Sequence, residues 1–179
     1  MGALIKSCRG FTPAWGKDCF IAENATLVGD VTLGDECSVW FQAVIRGDVN
    51  TIKTGDRVNI QDGAVIHCTF EKSKTIIGND VSIGHNAVVH GCKIGNNVLV
   101  GMGAIIMDHT VVHSNVIIGA GAVVPENQEL ESGWIYAGVP AKKLKPIDQK
   151  NLDFYIKRTA KNYVEYSKWF TSEDDSKHK

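Results

Sequence analysis

The stretch IGNDVSIGHNAVVHGCKIGNNVLVGMGAII, residues 77–106, sets a branched aliphatic residue on every sixth position. Ile77, Ile83 and Val89 hold the beat, one residue drops out before Ile94, and Val100 and Ile106 resume it. Four residues after most beats comes a small or β-branched residue, as at Val81, Ala87, Val98 and Ala104. An amphipathic helix would repeat at 3.6, and that period is absent. A six-residue beat marks a hexapeptide repeat: each hexad makes one short strand and a corner, and three hexads close a triangular coil of a parallel β-helix. Coils then stack at the ordinary strand spacing, about 4.8 Å.

The beat extends both ways, through Ile21, Leu27, Leu33, Val39, Ile45, Thr54, Ile60 and Ile66 on one side and Val112, Ile118 and Val124 on the other. Only Thr54 is not aliphatic. Slips at 46–53, at 68–76 and between Val89 and Ile94 predict loops or shortened corners. Glycines that follow the beat, at Gly34, Gly55, Gly78, Gly84, Gly95, Gly101 and Gly119, predict corners that need a permissive backbone. The rhythm predicts about six coils over residues 12–140 with one shared core. The chain is therefore a single, mainly β domain: a parallel β-helix with an N-terminal lead-in over 1–146, a C-terminal α-helix over 147–170 and a charged, disordered tail over 171–179. Leu152, Tyr155, Ile156, Thr159, Tyr163, Tyr166 and Phe170 fall at helical spacing, with Asp148 as the N-cap. Their apolar face should cover the side of the solenoid.

Composition narrows the partners. A net charge of −1 without a long basic run argues against nucleic acid. No apolar stretch reaches the roughly eighteen residues of a membrane span, and no signal peptide precedes the repeat, so a cytoplasmic protein is expected. Five cysteines without paired metal-type spacing read as reduced thiols, Cys37 being an interior packing residue.

Phase then sorts the polar residues into columns, because residues three beats apart lie above one another. One column holds Arg46, His67 and His90; another holds Phe41, Asp62, His85 and Met102. Stacking puts the His67 and His90 rings about 5 Å apart, which suits two ligands of one zinc with Zn–N near 2.1 Å. His85 lies around a corner, roughly 15 Å from His90 along the chain. It can complete the site only from another subunit, so a homotrimer with metal sites between subunits is expected. The same facing sets Arg46 opposite Asp62 of the neighbour. His109 and His113 have no partner above or below in this scheme, and both read as surface residues.

Three neutral imidazoles leave a tetrahedral zinc with one open position, where bound water is acidified toward pKa 7 and supplies hydroxide for attack on a small electrophilic carbon. Gln61 is placed to orient that hydroxide or the substrate. Asp48 shares its corner with Arg46, and Arg46, Asp48 and Asp62 read foremost as interface architecture.

The runs VIRGDVN at 44–50, NIQDGAVIH at 59–67 and IGHNAVVHGCKIG at 83–95 resemble the γ-class carbonic anhydrases, and the likeness extends through AGVPAKKL at 137–144 into the helix. The resemblance implies left-handed coils, an exception to the usual crossover rule. It also implies Zn2+, or Fe2+ in some members, on His67, His85 and His90, and Gln61 positioning hydroxide or bicarbonate. Arg46, Asp48 and Asp62 would organise the interface, Asn59 would belong to the polar pocket, and Tyr163 would reach the site from the helix. The activity implied is reversible hydration of CO2 to bicarbonate. In the archetypal enzyme a glutamate directly follows the arginine-glycine-aspartate triplet, and a longer acidic loop carries a second glutamate that helps pass protons to solvent. This chain has Val49 at the first position, and Glu71 is the only acidic residue of its short loop CTFEKSKT at 68–75. Slower turnover is expected for lack of that shuttle. Two other functions compete: an acyl-CoA acyltransferase or thioesterase, and a catalytically silent, metal-stabilised trimer that acts as a scaffold or binding protein.

Overall fold

The computed structural model describes residues 2–171 and forms a left-handed parallel β-solenoid of about seven turns with a C-terminal helix. The tail expected beyond residue 171 lies outside the described residues. Three strand stacks line the solenoid, two of them joined into one sheet through the long strand Val44–Thr54, and nearly all pairings between coils are parallel. The beat residues from Leu27 to Val124 are all buried, as are the small residues four places later, including Ala25, Cys37, Ala64, Ala87 and Ala104. Ile21 is the exception and stays half-buried. Each coil alone could not cover these side chains. Stacking removes both faces from water, which stabilises the fold by about 1.5–3 kcal/mol for each large aliphatic residue buried.

An extra turn precedes the beat. Leu4–Lys6 and Ala14–Trp15 pair with the long strand Thr26–Leu33, so the solenoid starts near residue 4 rather than 12. The slip at 46–53 is also not a loop. Val44–Thr54 is one continuous strand, and the extra residues are absorbed by a register shift opposite Gly29 and Val31. Ile52 within it is fully buried, a core position that the broken beat hides. The slip after Ile66 does form a turn, over residues 68–74, and the one at Gly91 and Cys92 is a short corner.

The glycines after the beat serve another purpose than the one expected. None of Gly34, Gly55, Gly78, Gly84, Gly95, Gly101 and Gly119 has a positive φ. A Cβ on Gly101 would sit 2.5 Å from the amide nitrogen of Ala120 on the next coil, so coil-to-coil contact demands the missing side chain. Left-handed corners are instead supplied mostly by polar residues such as Glu36, Arg57, Asp80, Asn97 and Asn115.

At the C-terminus, Asp148 caps the helix by accepting from the Asn151 amide at 2.7 Å. The helix begins at Gln149–Asn151, widens to a π-helical segment at Leu152–Lys157 and continues as Arg158–Thr171. It docks on the solenoid through an aromatic cluster. Tyr163 and Phe170 meet Trp40 at ring centroid distances of 5.3 and 5.5 Å, and Phe170 meets Phe20 at 5.4 Å.

Candidate metal centre

His67 ends the strand Val65–His67, His90 ends Val88–His90, and the two are direct partners in the parallel ladder. Their ring centroids lie 5.1 Å apart, as the stacking of coils requires. Nδ1 of His67 faces Nε2 of His90 at 3.1 Å. The outer nitrogens of both rings meet carboxylates: Nε2 of His67 lies 3.1 Å from Oδ1 of Asp48, and Nδ1 of His90 lies 2.6 Å from Oδ2 of Asp108. Carboxylates only accept, so each ring donates its N–H outward. Two lone pairs are left facing each other, an arrangement that a shared proton or a shared cation satisfies.

The donor set fits a metal on two further counts. Two nitrogens held about 2.1 Å from one tetrahedral ion lie roughly 3.4 Å apart, close to the separation here. Burial, opposed by the Asp48 hydrogen bond, lowers the His67 pKa below its usual value, favouring the neutral imidazole that a metal needs. Burial raises the carboxyl pKa of Asp48, but hydrogen bonds from Arg46 and His67 outweigh it and hold the group below its ordinary range. Arg46 donates from Nη1 to Oδ2 of Asp48 at 2.6 Å.

Asp108 went unnoticed in the sequence. Its carboxylate accepts from Thr69 at 3.0 Å, from Ser73 and from His90, and these bonds overcome burial to lower its pKa. The beat contained the clue: Asp108 stands two residues after Ile106 and so falls beside Gly91 on the neighbouring coil.

The remaining candidates gather elsewhere. His85 follows Ser82–Ile83 and pairs through Nδ1 with Oδ2 of Asp62 at 2.9 Å. Gln61 donates to Oδ1 of Asn59 at 2.9 Å, and Asn59 donates to Ser82 at 2.8 Å. Tyr163 descends from the helix to line a groove shared with Gln61 and His85. Its phenol is pushed up to about 12 by burial and by the Asp62 charge. The predicted residues thus form two separate clusters, Arg46–Asp48–His67–His90 and Asn59–Gln61–Asp62–His85–Tyr163. Among the described residues of one chain, no three His, Cys, Asp or Glu side chains form a group that could hold a metal. One expectation fails here: His113 does have a partner, Glu129 of the next coil, at 2.7 Å. The pair is exposed, and the strand pairing of Val111 with Glu129 creates it.

The repeat and the solenoid define a hexapeptide-repeat protein. The family model described as "Bacterial transferase hexapeptide (six repeats)" matches residues 74–104 and 91–126. Among curated relatives, protein YrdA of Escherichia coli is 41% identical over 172 residues, 93% of each chain. A carbonic anhydrase of Geobacillus kaustophilus is 36% identical over 93% of this chain and 91% of its own length. The mitochondrial gamma carbonic anhydrase 2 of Arabidopsis thaliana is 37% identical over 91% of this chain, which spans 60% of that longer relative. The chain belongs to the γ-carbonic anhydrase family. Among solved structures, a hexapeptide transferase family protein from Anaplasma phagocytophilum superposes with a TM-score of 0.89 at 36% identity, covering 93% of this chain and 98% of the other. The N-acyltransferase AntD of Bacillus cereus, at 18% identity, a TM-score of 0.69 and coverage of 83% and 90%, shares the fold alone.

Proposed function

We propose that the protein is a carbonic anhydrase that interconverts CO2 and bicarbonate at metal sites formed between the subunits of a homotrimer. The observation that carries this reading is the pair of outward-donating histidines whose lone pairs face each other at 3.1 Å. A Zn2+ or Fe2+ held there would acidify bound water and so supply hydroxide at neutral pH. His67 and His90 come from one protomer and His85 from the next, which accounts for two half-sites on separate corners. Asp48 and Asp108 fix the orientation of His67 and His90. Gln61, held by Asn59, turns its amide toward the substrate, and Tyr163 closes that side with a protonated phenol. Arg46 spans the interface toward Asp62 of the partner subunit. A small, uncharged substrate needs only this much of a site.

Proton export is the weak step. Val49 lines one cleft with Asp48, Asp30 and Glu71, so Asp30 and Glu71 are the acidic groups left near the position of the missing shuttle. Turnover should therefore rise with the concentration of an external buffer such as imidazole. Described residues include no helix long and apolar enough to cross a membrane, and all five cysteines are free thiols, which supports a reducing compartment such as the cytoplasm.

Stopped-flow CO2 hydration tests the reading, on protein of measured metal content loaded with zinc or, without oxygen, with ferrous iron. A chelator-sensitive rate that His90→Ala abolishes is the expected result. A fully metallated trimer with no rate at any buffer concentration would refute the enzymatic reading and favour the scaffold. Hydrolysis of acyl-CoA by metal-free protein would instead support a histidine-base acyl enzyme.

A further inference from the structure

A groove of about 560 Å³ starts at Gln61 and His85 and runs along one face of the solenoid beneath the C-terminal helix. Its floor climbs the sheet strand by strand. His85 follows Ser82–Ile83, Met102 follows Val98–Val100, Ala120 follows Val116–Ile118, and Ile135 lies on Trp134–Ala137, these strands being successive neighbours. From His85 to Ile135 is about 14 Å at roughly 4.8 Å per step.

Chemistry changes along that climb. The outward-facing ladder position reads Asn59, Ser82, Leu99, Ile117 and Ile135 on successive coils. It is polar at the level of Gln61 and His85 and apolar above. The helix supplies the other wall, with Tyr163 at the polar end and Tyr155 higher up, on the π-helical segment. Ile117 is buried at the back of the groove, and Ile135 at its far end stays half-buried.

We propose that this groove binds the tail of a medium-chain aliphatic carboxylate whose head lies against Gln61, His85 and Tyr163. The inference rests on the carbonic anhydrase reading, because an alkyl carboxylate presents the same O–C–O group as bicarbonate and so competes for its place. The Tyr163 hydroxyl and the second amide hydrogen of Gln61 donate to that head. About nine tail carbons, at roughly 1.3 Å of advance each, together with the carboxylate head fill the run to Ile135. The apolar ladder makes each of them count.

Calorimetric titration of the full chain with sodium acetate, hexanoate, octanoate, decanoate and dodecanoate tests this, on zinc-loaded and on chelator-treated protein. Affinity should rise up to about 4-fold per methylene and level off near ten carbons. Ala120→Trp, at a turn in the same column as His85 and Met102, should weaken decanoate at least 10-fold and leave acetate and the sedimentation profile unchanged, the two together serving as the check on folding and assembly. Lys145→Ala, at the far end, should leave decanoate unchanged. Affinity independent of chain length, or Ala120→Trp without effect on decanoate, would overturn the groove. A loss with Lys145→Ala as large as that with Ala120→Trp would put the head at the wrong end and overturn the assignment. Chain-length dependence in protein that binds no zinc would support the groove while the metal reading fails, whereas full zinc occupancy with a flat series would do the reverse.

Discussion

His90 and Asp108 sit on neighbouring coils, and Nδ1 of the first lies 2.6 Å from Oδ2 of the second. The carboxylate, anchored by Thr69 and Ser73, fixes both the ring's orientation and its tautomer, so Nε2 is the nitrogen turned toward His67. Asp108→Ala should weaken zinc binding about 10- to 100-fold while the solenoid stays folded. Competition against a chromophoric chelator measures the first, and circular dichroism the second. Wild-type zinc affinity in this variant would remove Asp108 from the site.

Arg46 offers a test of assembly. Its side chain is 45% exposed while it braces Asp48, and the Asp62 side chain is 43% exposed while it pairs with His85. Both have room for a second partner across an interface. Truncating one member of such a pair typically costs 2–5 kcal/mol, so Arg46→Ala should shift the sedimentation profile from trimer toward monomer by roughly two orders of magnitude in concentration. A trimer unchanged on dilution would show that the two columns do not face each other.

Cys19 and Cys37 face each other on adjacent coils, the following residues Phe20 and Ser38 being ladder partners. Their thiols respond in opposite directions. Hydrogen bonding from Cys37, acting against burial, lowers Cys19 to about 7, while the same contact and burial drive Cys37 upward. Iodoacetamide at pH 7.5 should therefore label the half-buried Cys19 before Cys37, and Cys37→Ala, which removes the donor, should slow that labelling. Peptide mapping by mass spectrometry reads both, and preferential labelling of Cys37 would contradict the assignment.

The fold was largely legible because the six-residue beat is a direct image of the coil: each repeat buries one branched and one small side chain. What escaped lies where the beat breaks. A register shift in Val44–Thr54 hides Ile52, and the strands before Ile21 carry no aliphatic rhythm at all. His67 stands above His90 in the sequence pattern because ladder pairing depends on backbone alone. Asp108 and the Glu129 partner of His113 do not show in it, because those contacts run to side chains one or two positions off the column. Phase predicts what stands directly above a residue, not what leans toward it.

The glycine ladder separates two physical reasons for the same residue. At Gly101 the backbone angles suit any residue, but an added Cβ would meet the Ala120 nitrogen at 2.5 Å and the Gly119 carbonyl carbon at 2.7 Å. At Gly103 nothing lies within 4 Å, and the constraint is the φ of +66°. Asn86 holds the equivalent corner one coil below at φ +56°, so asparagine is tolerated in that conformation. Gly101→Ala should destabilise the solenoid by about 1–3 kcal/mol, since neither coil can retreat without disturbing its own ladder. Gly103→Asn should change stability by less than about 0.5 kcal/mol. Thermal and denaturant unfolding of both variants decide between close packing and backbone freedom, and a harmless Gly101→Ala beside a costly Gly103→Asn would restore the corner explanation.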